Sequence, residues 1–288
     1  MRGKIVVVTG ANSGIGKVTA TELAKIGATV VMVCRNEEKA KAIQEDINAV
    51  TGLNNVDLFI CDFSSHESIK KFAIAFRSKY NVVDVLVNNA GVILGERETN
   101  DDGIEMMMAT NHLGYFLMTH YLLDCLKASD NARVVNVASL AHRFTNYRAN
   151  DLNADQFFNS FLQYSLSKLC NILFSNKLAS MLKNDTNVTS NSLHPGNIGS
   201  NFGQSGSPFF KFLVSNFSFV LTSPEKGAET SLYLASSPFV HGKTGKYWYN
   251  KKPVPPSLAA TNEDNIQHLW NWSLQQTGIK VFGEAEFK

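Results

Sequence analysis

Short apolar runs alternate with longer segments of helical periodicity over the first two thirds of the chain. The runs Ile5–Val8, Thr29–Val33, Val56–Ile60, Val82–Val87, Arg133–Ala138 and Val188–Leu193 are rich in β-branched residues and show little apolar/polar alternation. Strands buried on both faces, as in a parallel sheet, have this character. A seventh strand fits around Lys246–Tyr249. Between the runs, the segments at about Ile15–Ile26, Glu37–Val50, Ser65–Tyr80, Ile104–Leu126 and Phe157–Leu182 are expected to be helices. Strands and helices in strict succession imply right-handed crossovers, so the pattern predicts an α/β fold: a doubly wound parallel sheet of about seven strands with helices on both faces. No Gly/Ser/Pro linker breaks the alternation, and residues 1–288 are expected to form one domain. Its core would span about residues 1–195. The longest irregular stretch, Gly196–Thr222, follows the sixth run. In such a sheet that places it at the carboxyl edge, where ligands bind.

The link between the first strand and first helix reads Thr9-Gly10-Ala11-Asn12-Ser13-Gly14-Ile15-Gly16. Gly10 permits a tight turn, Gly14 lets backbone N–H groups approach a pyrophosphate, and Gly16 allows close packing of the helix, whose N-terminus favours the anion. Glycines between a strand and a helix predict a dinucleotide site and a Rossmann-type sheet. The second strand ends Val33-Cys34-Arg35-Asn36. An acid there would bind a ribose 2′-hydroxyl, whereas Arg35 accommodates a 2′-phosphate and points to NADP(H). Arg35 could instead be a solvated surface residue. Glu37 and Glu38 follow a helix-starting Asn36 and fit its first turn. Asp62, after the third strand, either accepts from an adenine amino group or caps the helix beginning near Ser65. Asn88-Asn89-Ala90-Gly91 ends the fourth strand with small and amide residues, suited to backbone lying against the adenosine ribose.

Tyr164 and Lys168 share one helix face by their i, i+4 spacing. A phenol of pKa ~10 is a poor acid–base catalyst near neutral pH. A neighbouring ammonium favours the phenolate and lowers that value. The pair could then exchange a proton with an alcohol or alkoxide. Ser139 ends the fifth strand at the same edge, where its hydroxyl could hold a carbonyl oxygen. Asn111 is a polar residue within an apolar helical segment. It is either a satisfied core amide or a group whose side chain or local backbone holds a water linking Lys168 to solvent.

Composition narrows the partners. The 288 residues are 44% hydrophobic and 18% charged, enough apolar side chain for a folded core. The formal net charge is +2 without a basic cluster, so no nucleic-acid partner is expected. No uncharged apolar run reaches the ~18 residues of a spanning helix. Ile5–Val8 is too short for a signal peptide. With neither a signal nor an anchor visible, a cytoplasmic location is expected. Cys34, Cys61, Cys125 and Cys170 lie far apart, form no Cys-x-x-Cys pair and read as reduced core thiols; no metal site is expected. The sequon Asn184-Asp185-Thr186 reads as chance in that setting.

Thr9–Gly16, Asp62, Asn88–Gly91, Asn111, Ser139, Tyr164 with Lys168, and Pro195-Gly196 stand in one order along the chain. In that order the sequence resembles the short-chain dehydrogenase/reductase family, from the first strand to at least residue 250. Val33-Cys34-Arg35-Asn36, Asn111-His112-Leu113-Gly114, Ala132-Arg133-Val134-Val135-Asn136-Val137 and His194-Pro195-Gly196 make it most similar to the retinol dehydrogenase-like branch. The resemblance implies an NADP(H)-dependent oxidoreductase that interconverts an aldehyde or ketone with its alcohol. It implies a tetrad in which Tyr164 is the general acid/base, Lys168 lowers its pKa and binds the nicotinamide ribose, Ser139 steadies the substrate oxygen and Asn111 supports the proton relay. The cofactor would meet Gly10, Asn12, Ser13, Gly14, Ile15 and Gly16 at its phosphates and Arg35 at the 2′-phosphate. Asp62, Phe63, Asn89, Ala90 and Gly91 would lie along its adenosine. Pro195, Gly196 and Ile198 would border the nicotinamide, with Ser200 offering a hydroxyl where many relatives have Thr. A homo-oligomer is the family expectation.

The segment Phe209–Leu221 holds five phenylalanines and lies where relatives carry a mobile substrate lid. It is either a lipophilic pocket wall or membrane-surface contact, or a short packed helix over core. A lipophilic small-molecule substrate fits the first reading. His142, Arg143 and Tyr147 either line the pocket or form an ordinary polar loop. Val281–Lys288 carries no motif that can be interpreted. The competing reading is a catalytically idle NADP(H) sensor or scaffold on the same fold. Intact Ser139, Tyr164 and Lys168 argue against it, because a sensor needs no proton donor.

Overall fold

The computed structural model describes residues 1–183, 187–196 and 223–287. Among them, β1 (Ile5–Thr9), β2 (Thr29–Cys34), β3 (Val56–Ile60), β4 (Val85–Asn88), β5 (Arg133–Val137), β6 (Thr189–His194), β7 (Tyr247–Tyr249) and β8 (Lys252–Pro253) form one sheet in the order β3-β2-β1-β4-β5-β6-β7-β8. Every neighbouring pair is parallel except β7 with β8. The winding reverses between β1 and β4, which opens a crevice at their carboxyl ends. Val7 packs into one helical layer, while Val6 and Val8 pack into the other. Both faces of β1 are therefore dry, which is why its sequence does not alternate.

Two sequence expectations shift at their edges. β4 starts at Val85 because the Asp84 side chain turns back to β1, accepting from the Ile5 N–H at 2.8 Å and from Lys4 Nζ at 2.9 Å. The eighth strand was not expected. Asn250 and Lys251 both take positive φ (47° and 61°), so a two-residue turn folds Lys252–Pro253 back on β7. Pro253 is tolerated there because the strand lies at the sheet edge.

The helices are α1 (Gly14–Lys25), α2 (Glu37–Thr51), α3 (His66–Arg77), α4 (Gly114–Lys127), α5 (Ser160–Met181), α6 (Pro224–Ser236) and α7 (Glu263–Thr277). Asn36, Ser65 and Asn159 cap α2, α3 and α5 through their side chains. The long helix expected from Ile104 is interrupted. Met108–Leu113 winds as a π-helix before α4, and all six of its residues are buried. Side-chain periodicity cannot reveal such a change of hydrogen-bond pattern. The last two helices escaped the strand–helix alternation, although their caps are legible: Ser223 before Pro224, and Asn262 before Glu263 and Asp264, with Gly278 left-handed at the end.

The C-terminal residues have a clear task. Phe282 is buried against Phe116 and Trp270, with ring centroids 4.8 Å apart in each pair, and the Gly283 N–H donates to His120 Nδ1 at 2.9 Å. This tail and α7 cover α4, of which only Asp124 and Lys127 remain exposed. The four cysteines are free and buried. No helix among the described residues is long and apolar enough to cross a membrane.

Candidate active site

β1 delivers the chain to a loop held from two sides. Thr9 Oγ1 accepts from the N–H groups of Asn89 (2.8 Å) and Ala90 (2.9 Å), and Asn89 Nδ2 donates to the Thr9 carbonyl at 2.8 Å. Gly10 and Gly14 take φ of 65° and 51°, a region that strains other residues. A Cβ on Gly16 would lie 2.3 Å from the Gly10 carbonyl oxygen and 2.5 Å from Asn89 Nδ2. The three glycines are thus required by the loop's own packing. α1 starts at Gly14 from an extended, exposed Ser13 whose side chain makes no cap hydrogen bond. The first-turn N–H groups of this helix are available to an anion, as a pyrophosphate cradle requires. The backbone of Ala11 and Asn12 faces the Cys34 thiol, which burial pushes up to about 11.

Arg35 is exposed directly after β2 and makes no ion pair among the described residues. Its neighbours Asn36 and Glu37 are engaged within α2. Asn36 Oδ1 accepts from the Lys39 N–H at 2.8 Å, and Glu37 pairs with Lys41 at 2.6 Å within the first turn of α2. Asp62 does not cap α3, since Ser65 does; its Oδ1 accepts from the Ser64 N–H (2.9 Å) and hydroxyl (2.7 Å). Phe63 is buried, and its carbonyl lies against Gly114, where a Cβ would sit 2.9 Å away. Asn88 is buried and donates to Thr119 Oγ1 (3.2 Å) and Asn136 Oδ1 (3.0 Å), tying β4 to α4 and β5.

The polar cluster forms where α5 crosses the ends of β4 and β5. Lys168 is buried; its Nζ donates to the Val137 carbonyl at 3.2 Å and lies 5.7 Å from the Tyr164 ring centroid. The Ser139 side chain stands beside the Tyr164 hydroxyl and favours its ionised form. Gly91 closes the cluster, since a Cβ there would be 3.1 Å from Asn111 Oδ1 and 3.4 Å from Lys168 Nζ. Both ends of the Asn111 amide are engaged. Oδ1 accepts from the Val92 N–H at 2.7 Å, and Nδ2 donates to the Val92 carbonyl (2.9 Å) and Ser167 Oγ (3.0 Å). Of the two ways in which Asn111 could have held a water, the side chain is thus spent on positioning.

Electrostatics depart from the sequence expectation in one respect. Lys168 was expected to lower the Tyr164 pKa. Burial instead pushes the phenol up to about 12, with the Ser139 side chain opposing it, and burial holds the Lys168 ammonium down at about 7. Both groups are driven toward their neutral forms because the cluster is dry.

His142, Arg143 and Tyr147 are not free pocket residues. His142 is buried with Nδ1 2.6 Å from the Ser139 carbonyl oxygen, Arg143 bonds to the Pro255 carbonyl, and Tyr147 bonds to His268 Nδ1 at 2.8 Å. Sequence reasoning missed Glu105. Its buried carboxylate accepts from the Met107 and Met108 N–H groups and from Gln163 Nε2, each at 2.9 Å, anchoring the π-helix to α5 one residue before Tyr164. A lone Glu before an apolar run gives little signal for this. Pro195 and Gly196 follow β6 directly, with Gly196 at φ 100°. Ile198, Ser200, Phe209–Leu221 and the Asn184 sequon lie outside the described residues.

Known proteins resemble this chain in sequence and in fold. Residues 4–208 match the family described as short chain dehydrogenase. The chain is 40% identical over 279 residues to human retinol dehydrogenase 11, covering 97% of this chain and 87% of that protein. It is 41% identical to bovine retinol dehydrogenase 12, covering 96% and 87%. Among solved structures, an uncharacterized protein from Mycobacterium paratuberculosis superposes with a TM-score of 0.78 at 31% identity, covering 96% of this chain and 94% of that one. A short chain dehydrogenase from Escherichia coli CFT073, complexed with NADPH, superposes with a TM-score of 0.67 at 25% identity, covering 86% and 96%.

Proposed function

The chain belongs to the short-chain dehydrogenase family, in its retinol dehydrogenase-like branch, and from that premise we propose that it interconverts a lipophilic aldehyde or ketone with its alcohol using NADP(H). The observation that carries this reading is the meeting of Ser139, Tyr164 and Lys168 beside Gly91, at the sheet edge that also bears the glycine loop. The loop fits a dinucleotide, because a side chain at Gly16 would strike the Gly10 carbonyl and the first turn of α1 leaves N–H groups for a pyrophosphate. Gly10, Ser13, Gly14, Ile15 and Gly16 would hold the phosphates, Asp62 and Phe63 the adenine side, and Asn89, Ala90 and Gly91 the ribose through backbone. Asn12 would line the same cradle. Pro195 and Gly196, with Ile198 and Ser200, would flank the nicotinamide.

When bound, the reduced nicotinamide supplies a hydride to the carbonyl carbon. Ser139 and Tyr164 present their hydroxyls to the substrate oxygen, where negative charge develops in the transition state. Tyr164 is neutral, so in reduction it holds the proton that the alkoxide takes. Lys168 then stabilises the phenolate, and its low pKa lets it pass protons near neutrality. Asn111 holds Val92 and Ser167 in register, which keeps Gly91 against Lys168. A lipophilic substrate is supported by the turn after Ser139, where Leu140 and Phe144 are exposed, Phe144 packing on Phe161 with centroids 5.8 Å apart. A homo-oligomer would have to use a face other than the covered α4.

NADPH oxidation against a panel of aldehydes, ketones, retinoids and steroids tests the reading. Polycyclic or long-chain carbonyls are expected to outperform small polar ones. Tight NADPH binding with no turnover of any carbonyl would favour the idle sensor. Cofactor choice has its own test. Arg35, exposed and without an ion pair among the described residues, should make a charge-assisted contact with the 2′-phosphate, worth roughly 1.5–3 kcal/mol. Arg35→Ala is therefore expected to weaken NADPH binding roughly 10- to 150-fold while moving NADH only slightly. Equal loss for both cofactors, measured as dissociation constants, refutes the assignment.

A further inference from the structure

The peptide bond after Ser139 is gripped at both ends by imidazoles. The Ser139 carbonyl oxygen lies 2.6 Å from His142 Nδ1, and the Leu140 N–H donates to His194 Nδ1 at 3.1 Å. The two rings come from different elements, His142 from the turn Leu140–Phe144 and His194 from the end of β6. Their tautomers follow from their partners. His142 Nε2 accepts from the Ser257 N–H at 3.1 Å, so the proton sits on Nδ1 and is donated to Ser139. His194 Nδ1 accepts, so its proton sits on Nε2. Both rings are buried and each is backed by an aromatic of β7. Tyr247 meets His142 edge-on at 4.9 Å, and Tyr249 stacks on His194 at 5.1 Å.

We propose that His142 and His194 are positioning residues that clamp the Ser139–Leu140 peptide and so aim the Ser139 hydroxyl at Tyr164. The proposal rests on the reading of Ser139 and Tyr164 as the groups that meet the substrate oxygen. The peptide plane sets ψ of Ser139, which is held at 157° with φ at −160°. From this extended backbone, Oγ accepts from the Ala141 N–H at 3.1 Å and stands beside the Tyr164 hydroxyl. The turn's own restraint on this peptide is one long bond, from the His142 N–H to the Ser139 carbonyl at 3.3 Å, and rotation about ψ would carry Leu140 and the turn away from the site. The clamp supplies that restraint from one donor and one acceptor, which cannot be exchanged. Through Ser257 and the Arg143 contact to Pro255, it also couples the serine to the segment after β8.

Substitutions that keep or remove one hydrogen bond at a time test the clamp. Asn at residue 142 places an N–H donor near the Nδ1 position, whereas Gln reaches toward the Nε2 position and leaves the Ser139 carbonyl only the longer, 3.3 Å bond from the backbone N–H of residue 142. His142→Asn is expected to retain kcat within roughly 5-fold, while His142→Gln and His142→Leu lose roughly 10- to 100-fold in kcat with KM and the NADPH dissociation constant little changed. Likewise His194→Asn, which offers an acceptor, is expected to outperform His194→Leu. Ser139→Ala supplies the internal control. If the clamp acts through the serine hydroxyl, adding His142→Gln to Ser139→Ala costs nothing further. An undiminished loss in that background, or equal activity of Asn and Gln, overturns the proposal. A Ser139→Ala variant as active as the parent would instead sink the site reading. Independent of turnover, nitrogen NMR of the imidazoles at neutral pH should find His142 as the Nδ1–H tautomer and His194 as Nε2–H. The opposite tautomer at either ring also overturns the clamp.

Discussion

Tyr164→Phe is expected to lower single-turnover hydride transfer by at least ~10²- to 10⁴-fold, while fold and NADPH binding survive. The substitution removes one hydroxyl and keeps the ring, which is partly buried on α5 beside Lys168. The lost group is the hydroxyl that stands beside the Ser139 side chain at this edge. Its neutrality is an asset in the direction of reduction: a phenol held up at about 12 is fully protonated at neutral pH and ready to give. Without it the alkoxide must find a proton from water in a dry cluster. Lys168→Ala should differ in kind. Its ammonium is buried, bonded to the Val137 carbonyl and close to Gly91, so its removal is expected to lower both turnover and cofactor affinity. Single-turnover rates and NADPH dissociation constants for the two variants separate these roles. Turnover of Tyr164→Phe within a few-fold of the parent would mean that another group donates the proton.

Mild acid is expected to unfold the protein. Burial holds His112 at about 3, and His120 and His194 at about 4, against an ordinary value of 6.5. Each ring is neutral in the native state and works as such. His112 Nε2 meets Ser273 Oγ at 2.8 Å, while His120 Nδ1 and His194 Nδ1 accept from backbone N–H groups. The unfolded chain takes up a proton at each as pH falls below 6.5, and the native state does so only near 3 to 4. The unfolded state therefore binds more protons across this window, so the contribution of these rings to stability is full above pH 6.5 and falls as pH drops toward 4. At ~1.4 kcal/mol per unit, three rings two units below their ordinary value cost ~8 kcal/mol at pH 4.5, comparable to the stability of a whole domain. Glu105 opposes this with one group, since burial raises its carboxyl. Calorimetry from pH 7.5 to 4.5 should show a steep fall in Tm. His120→Asn, which can still accept from Gly283, should flatten the slope by roughly a third. A Tm that is level between pH 6.5 and 4.5 would show that these rings are not held neutral.

What the amino-acid sequence determined by itself is what is local along the chain. Apolar runs marked six strands, five of them because they are dry on both faces and the edge strand β3 by its own apolar run, and Gly10, Gly14 and Gly16 were legible because a strand-to-helix turn is built from adjacent residues. The one-turn spacing of Tyr164 and Lys168 followed from helix geometry alone. The tertiary structure decided the rest. It packed α5 against β5 and the turn after it so that Ser139 meets Tyr164, and it spent the Asn111 amide on Val92 and Ser167. It drew His142 and His194 onto one peptide from residues 52 positions apart, and it used the C-terminal Phe282 to seal α4. It also reversed the expected direction of the Tyr164 shift, because the loss of water outweighs a lysine that burial itself holds low. Propensity and periodicity act between neighbours, whereas the partner of a hydrogen bond and the polarity around a proton depend on which distant segments the fold brings within ~3 Å.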